Sequence, residues 1–149
     1  MAFLSSMNIV ASGMTAQQLR LDVVAENVTN STTTRTEAGG PYRRKMVVFQ
    51  SVAGRDDFRA AMARAAEGLT PNAGAPTAGG VRVTQIVEDP SPMKLVYDPT
   101  HPDANEDGYV EMPNVDMVKE MTDAMAATQA YSANVTAFNT LKSVVAKGL

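Results

Sequence analysis

The stretch MVKEMTDAMAATQAYSANVTAFNTLKSVV, residues 117–145, places Met117, Met121, Ala124, Thr128, Tyr131, Val135, Phe138, Leu141 and Val145 on one stripe. The steps alternate between four and three, which keeps one face of an α-helix turned toward a partner helix. Val118 and Met125 lie beside that seam. Pro113-Asn114 marks the start, and Asn114 or Asp116 can serve as N-cap. Glu120 in the early turns and Lys142 and Lys147 near the far end have the signs that suit the helix dipole.

The other end of the chain carries the same pattern. Phe3, Met7, Val10, Met14, Gln17, Leu21, Val24 and Val28 again step by four and three, with one polar interruption at Gln17. At about 1.5 Å per residue this helix runs close to 40 Å. It is expected to stop between Asn27 and Asn30, where Asn, Thr and Ser side chains compete for the backbone. Two long helices at opposite ends of a chain are placed to pack as an antiparallel coiled coil.

The middle has a different texture. Arg44 to Gln50 and Val81 to Val87 read as strands. Met93, Leu95 and Tyr97 alternate with Lys94, Val96 and Asp98 to give a third. A short β hairpin or three-stranded patch follows, of a size that needs a helix to lean on. Phe58, Met62, Ala65 and Leu69 fit a short amphipathic helix, and Thr70 to Gly80 is rich in Thr, Pro, Ala and Gly. Residues 54–80 therefore read as a surface insertion. The fold class is mainly α with a small β region (α+β). Residues 1–30 and 114–149 form a terminal-helix core, and residues 31–113 a β-rich middle.

Composition narrows the function. The chain has 149 residues and a net charge of -3, without the basic face of a nucleic-acid-binding domain. It has no Cys and one His, so there is no disulfide framework, no thiolate metal site and little imidazole chemistry. No stretch reaches the roughly 18 apolar residues of a membrane span. The apolar N-terminus lacks a basic leader and is periodic, so a cleaved signal peptide is not expected.

No chemical constellation stands out. Asp103-Ala104-Asn105-Glu106-Asp107-Gly108 matches the opening of a calcium loop, but the twelfth position is Asn114 where a bidentate Glu belongs. The prolines at 90, 92, 99 and 102 exclude the entering helix. These residues read as a chain-reversing turn. His101 has no ligand-spaced partner. Gly39-Gly40 and Gly79-Gly80 lack the spacing of a phosphate cradle, and no nucleophile elbow is present. No catalytic residue, metal or cofactor is assigned. Arg43-Arg44-Lys45 reads as a solvated strand edge or, alternatively, as a charged contact with a neighbouring subunit.

The terminal seams remain. Leu4, Ile9, Val23, Val118, Met125 and Val144 lie off the main stripes, making the apolar faces broader than one partner helix covers. Wide apolar surface on a small chain points to burial against other chains, and a head-to-tail contact that does not close gives a helical filament. A soluble helical dimer acting as an adaptor is the alternative.

Leu21-Asp22-Val23-Val24-Ala25-Glu26-Asn27-Val28-Thr29-Asn30 resembles the N-terminal signature of bacterial flagellar rod and hook proteins. The stretch from Tyr97 to Ala104, then Gly108-Tyr109-Val110-Glu111-Met112-Pro113-Asn114-Val115-Asp116, Glu120-Met121 and Ala130-Tyr131-Ser132-Ala133-Asn134-Val135 resemble a proximal-rod member of that family. Its motif positions here are Asn27, Asn30, Gly108, Tyr109, Pro113, Asn114, Asp116 and Asn134. The resemblance implies a structural subunit of a rotating shaft that transmits motor torque and serves motility. It implies export without a cleaved signal by the flagellar type III apparatus, and assembly in the periplasm. The implied neighbours are other copies of the chain, the proximal rod proteins FlgB and FlgF, the distal rod protein FlgG, and the hook–basal body protein FliE. Another axial protein of the same family stays open as an alternative. The subunit interface would be formed by Phe3, Met7, Val10, Met14, Leu21, Val24, Val28, Met117, Met121, Met125, Tyr131, Val135, Phe138, Leu141 and Val145. Gln129, Glu26 and Thr29 depart from the usual Arg, Asn and Ala of relatives.

Overall fold

A computed structural model describes residues 2–53 and 78–148, with side chains described over 4–52 and 79–148. The element order is α1 (Ala2–Thr29), β1 (Lys45–Ala53), β2 (Ala78–Glu88), β3 (Lys94–Tyr97), β4 (Tyr109–Met112) and α2 (Met117–Gly148). The fold is α+β and mainly helical, with a long helix at each end. The helix expected through Phe58, Met62, Ala65 and Leu69 lies outside the described residues.

Two local expectations change. The β region is not one hairpin or three-stranded patch but two two-stranded sheets, β1 with β2 and β3 with β4. Strand β4 holds only four residues, with Glu111 among them and Pro113 just beyond, too short for alternation to reveal. Gly79 and Gly80 belong to β2 rather than to the preceding Pro/Gly stretch. Gly80 sits at φ +111°, and a Cβ there would run into the Ser12 side chain. A glycine is therefore what lets the strand lie against α1.

In its internal contacts the chain forms two compact units. The first comprises Met1–Gln17, Phe49–Thr84 and Ala130–Leu149, as far as these are described. Ser12 Oγ accepts the Val81 N–H at 3.0 Å and donates to the Ile9 carbonyl at 2.7 Å, fastening β2 to the helix. A Cβ on Gly13 would lie 2.9 Å from Asn134 Nδ2, so α1 and α2 approach closely there. Ala16 is the buried apolar side chain in this unit among the described residues.

The second unit, Gln18–Val48 with Gln85–Gln129, holds most of the buried side chains: Val23, Val24, Asn27, Tyr42, Arg44, Val110, Val115, Glu120 and Ala127. Arg20 meets Asp123 at 3.0 Å and Asn27 meets Glu120 at 3.0 Å, so here the two helices run antiparallel. Sheet β3–β4 is antiparallel, pairing Lys94 with Met112 and Tyr97 with Tyr109. The rings of that last pair meet edge-on with centroids 5.2 Å apart.

The loop between β3 and β4 contains the calcium-like stretch. Asn105 Oδ1 accepts the N–H groups of Asp107 at 3.1 Å and Tyr109 at 2.8 Å, and Gly108 donates to the Asn105 carbonyl. Gly108 takes φ +80°, and a Cβ there would press on Tyr97 and Pro99. The Asp103 carboxylate accepts from the Thr34 hydroxyl at 2.8 Å. These carboxylate and amide groups build a turn. Among the described residues, no three His, Asp or Glu side chains gather where they could hold a metal ion.

Candidate assembly surface and its buried anchor

The helices meet mainly through residues beside the stripes read from spacing, with Val24 the stripe residue that joins them. On α1 the buried side chains are Ala16, Val23, Val24 and Asn27. On α2 they are Glu120 and Ala127. At about 100° per residue, the buried face of α1 lies roughly a third of a turn from the Met14–Leu21–Val28 stripe. In α2 the stripe itself changes environment along its length. Met117, Met121 and Met125 are exposed, whereas Tyr131, Val135, Phe138, Leu141 and Val145 are half-buried. A seven-residue repeat on a straight helix drifts by ~20° per heptad, hence ~80° over the four heptads involved. That drift carries the early methionines outward.

Among the remaining stripe residues of α1, Val24 is buried, while Met7, Val10, Met14, Leu21 and Val28 are half-buried. The Phe3 side chain lies outside the described ones. Helix α2 therefore offers water an apolar stripe at its N-terminal end: Val118 is 73% exposed, Met125 66%, Met121 61% and Met117 43%. It sits about a third of a turn from the Glu120–Ala127 face. Leu95, Val96, Tyr97 and Tyr109 on β3–β4 are exposed as well. In the first unit Leu4, Ile9, Phe49, Val81 and Val144 are exposed.

Glu120 is fully buried, and its carboxylate is claimed from two sides. Arg44 Nε donates to Oε1 at 2.5 Å, and Asn27 Nδ2 donates to Oε2 at 3.0 Å. Arg44 also reaches Asp123 at 3.2 Å and Asp89 at 3.7 Å. Asn27 Oδ1 accepts from the Tyr42 hydroxyl and from the Lys45 N–H, each at 2.9 Å, and Asn27 Nδ2 also donates to the Lys45 carbonyl. One asparagine and one carboxylate thus tie the end of α1, the start of β1 and the first turns of α2 together.

This corrects the reading of Arg43-Arg44-Lys45 as a solvated edge. Arg44, one residue before β1, is buried inside the chain, where its guanidinium is taken up by Glu120, Asp123 and Asp89. Arg43 donates to the Asp89 carbonyl at 3.3 Å, and Lys45 pairs with Glu26. Glu26, one of the departures from the family pattern, therefore has a partner within the chain.

The other motif residues also shape the chain. Asn30 Nδ2 donates to the Glu26 carbonyl at 3.0 Å, closing α1. Asp116 is the N-cap of α2, its carboxylate accepting the Val118 N–H at 3.0 Å. Asn114 serves a different end: its Oδ1 accepts the Arg44 N–H at 2.8 Å, and its Nδ2 donates to the carbonyls of Asp89 and Ser91. Pro113, just before Asn114, is fully buried.

Spacing alone left Tyr42, Asp89 and Asp123 unassigned and misread Arg44, since their roles arise from contacts distant in sequence. The Asp89 carboxyl is held below the usual range, first by hydrogen bonds from Ser91 and then by Arg44. Burial, reinforced by Glu26, Glu120 and Glu88, pushes the Tyr42 hydroxyl up from 10.0 to about 12. The folded state holds this proton more tightly than the unfolded chain. Its stabilising effect is thus full below pH 10.0 and fades as the pH rises toward about 12. A tyrosinate absorbance titration is expected to show a step near the upper value, absent in Tyr42→Phe.

The chain is 47% identical to the flagellar basal-body rod protein FlgC of Bacillus subtilis (strain 168) over 148 residues, covering 97% of this chain and 94% of the relative. The chain belongs to the FlgC family of flagellar basal-body rod proteins. FlgC of Borreliella burgdorferi is 41% identical, and FlgC of Escherichia coli O157:H7 42%, each over all of this chain and 97% of the relative. Two family models match the ends: "Flagella basal body rod protein" over residues 7–35 and "Flagellar basal body rod FlgEFG protein C-terminal" over residues 106–149. The matched ends contain Asn27, Glu120 and the exposed methionines of α2, so anchor and candidate surface both fall largely within the parts of the chain that these family models cover.

Proposed function

We propose that this chain is a structural subunit of the flagellar basal-body rod, assembling with other rod proteins and required for flagellum-driven motility. The observation that carries this is full-length similarity to FlgC joined to an exposed apolar stripe on a helix already packed within its own chain. Exposed methionine and valine on an ordered helix gain by contact with other chains, at roughly 25 cal/mol per Å² of apolar area buried. Many such contacts repeated along a filament give a shaft able to carry torque. The buried anchor supports that role by fixing where α1, β1 and α2 meet, so the outward stripe is presented in one orientation.

In the finer reading, the chain belongs to the proximal rod, in the periplasm, reached by the type III export apparatus without a cleaved signal. Its neighbours are copies of itself, FlgB, FlgF, FlgG and FliE, and its role is architectural rather than catalytic. Residues 1–30 and 114–149 form the shaft-building part, and residues 31–113 the outer part. A photo-crosslinking residue placed at Val118 in living cells tests this. The expected product, recovered from isolated hook–basal bodies, joins the chain to another rod subunit. Absence of the chain from those particles, or a Val118 probe that couples to no other protein in them, contradicts the reading.

A further inference from the structure

Ten methionines are many for a chain of 149 residues, and among the described side chains those on the outer stripe of α2 differ from the others in one respect. Met121 and Met125 are about two-thirds exposed and Met117 is 43% exposed, at steps of four on a single helix. Met7, Met14, Met46, Met93 and Met112 are half-buried. A thioether open to water is the side chain a hydroperoxide reaches first.

We infer that Met117, Met121 and Met125 form an oxidation site whose sulfoxides keep the unassembled subunit out of the rod. The inference rests on the assembly reading above, in which this stripe is covered by a neighbouring subunit. In the reaction the thioether sulfur attacks a hydroperoxide and its O–O bond breaks. One oxygen joins sulfur to give the sulfoxide. The other takes up the transferred proton and leaves as water, or as an alcohol when the peroxide is organic. Sulfur loses two electrons and the peroxide gains them. The product is polar and chiral where the parent was apolar and adaptable, so it opposes burial in an apolar contact. A methionine sulfoxide reductase with a thiol donor reverses it. The three sulfurs are separated by one helical turn each, so oxidation converts a continuous apolar strip into a polar one. Glu120, Asp123 and Ala127 lie on a different face, and the internal packing is untouched.

Brief treatment of the purified full-length chain with hydrogen peroxide, followed by peptide mass analysis, locates the first oxygens gained. They are expected at Met121 and Met125, several-fold faster than at Met7, Met14, Met46, Met93 and Met112. In cells, Met121→Gln with Met125→Gln imitates the polar sulfoxide and is expected to cut swimming several-fold. Met121→Leu with Met125→Leu is expected to keep it. Circular dichroism of both double variants is expected to match the parent, since the positions are exposed. Even oxidation across the methionines overturns the inference, as do Gln variants that swim like the parent. If the Gln variants swim while Met121→Asp does not, the oxidation site alone fails. If Met121→Asp also swims, the assembly reading fails with it.

Discussion

Glu120→Ala lowers the stability of the folded chain by about 3 kcal/mol, the lower end of the cost of removing one partner from a buried ion pair. The estimate sits at that end because Arg44 keeps Asp123 at 3.2 Å and Asp89 at 3.7 Å, and Asn27 keeps the Lys45 carbonyl. Set against about 5–15 kcal/mol for a whole domain, this is a large fraction. It is read as a fall in the urea midpoint at unchanged slope, followed by tyrosine fluorescence, as the chain has no Trp. Replacing both partners, as Arg44→Met with Glu120→Leu, is expected to recover much of the loss, because no charge is then left buried alone. Arg20→Ala provides the contrast. Its ion pair with Asp123 is about a third exposed and is worth at most about 1 kcal/mol. A Glu120→Ala loss no greater than that of Arg20→Ala contradicts the assignment of Glu120 as the anchor.

Much of the fold is legible in the sequence because two long periodic segments dominate it. The four-three spacing places α1 and α2 to within a few residues, and Asp116 versus Asn114 as the cap is settled by which carboxylate or amide meets a helix N–H. The face that each helix buries is a different matter. Periodicity selects the most apolar stripe, but beside Val23 and Val24 the helices bury small and polar residues, Ala16, Asn27, Glu120 and Ala127, and approach closely at Gly13. Small side chains permit that approach, and Asn27 and Glu120 are admitted since every polar atom they carry finds a partner. Neither fact has a spacing signature. The same applies to Arg44, whose burial depends on Glu120 lying 76 positions away in sequence. Strand β4 carries no sequence signal for a local reason: four residues with a glutamate among them show too little alternation.

The consequence is an inversion of the usual helix pair. At the start of α2 large apolar side chains face out while small and polar ones face in, and that arrangement makes sense for a chain whose helices must satisfy both their own partner and further chains. Seen from Met121, the inversion also supplies a clean experiment. Asp at Leu21 or Phe138, both half-buried, disturbs the chain itself as well as any contact beyond it. Asp at Met121 or Met125 meets water in the isolated subunit, so folding is preserved. Once the stripe is covered by an apolar contact, the same carboxylate is stripped of water, a penalty of several kcal/mol per contact when it is left unpaired. Repetition at every subunit multiplies the effect, and assembly fails outright rather than weakening.

Swimming and hook–basal body yield of cells carrying Met121→Asp as their sole copy, with circular dichroism of the same purified variant beside it, is the most direct measurement. The expected result is a spectrum and melting curve like those of the parent, no rods and no swimming. Parental swimming with normal rods contradicts the claim that this stripe is where the chain is built into the shaft.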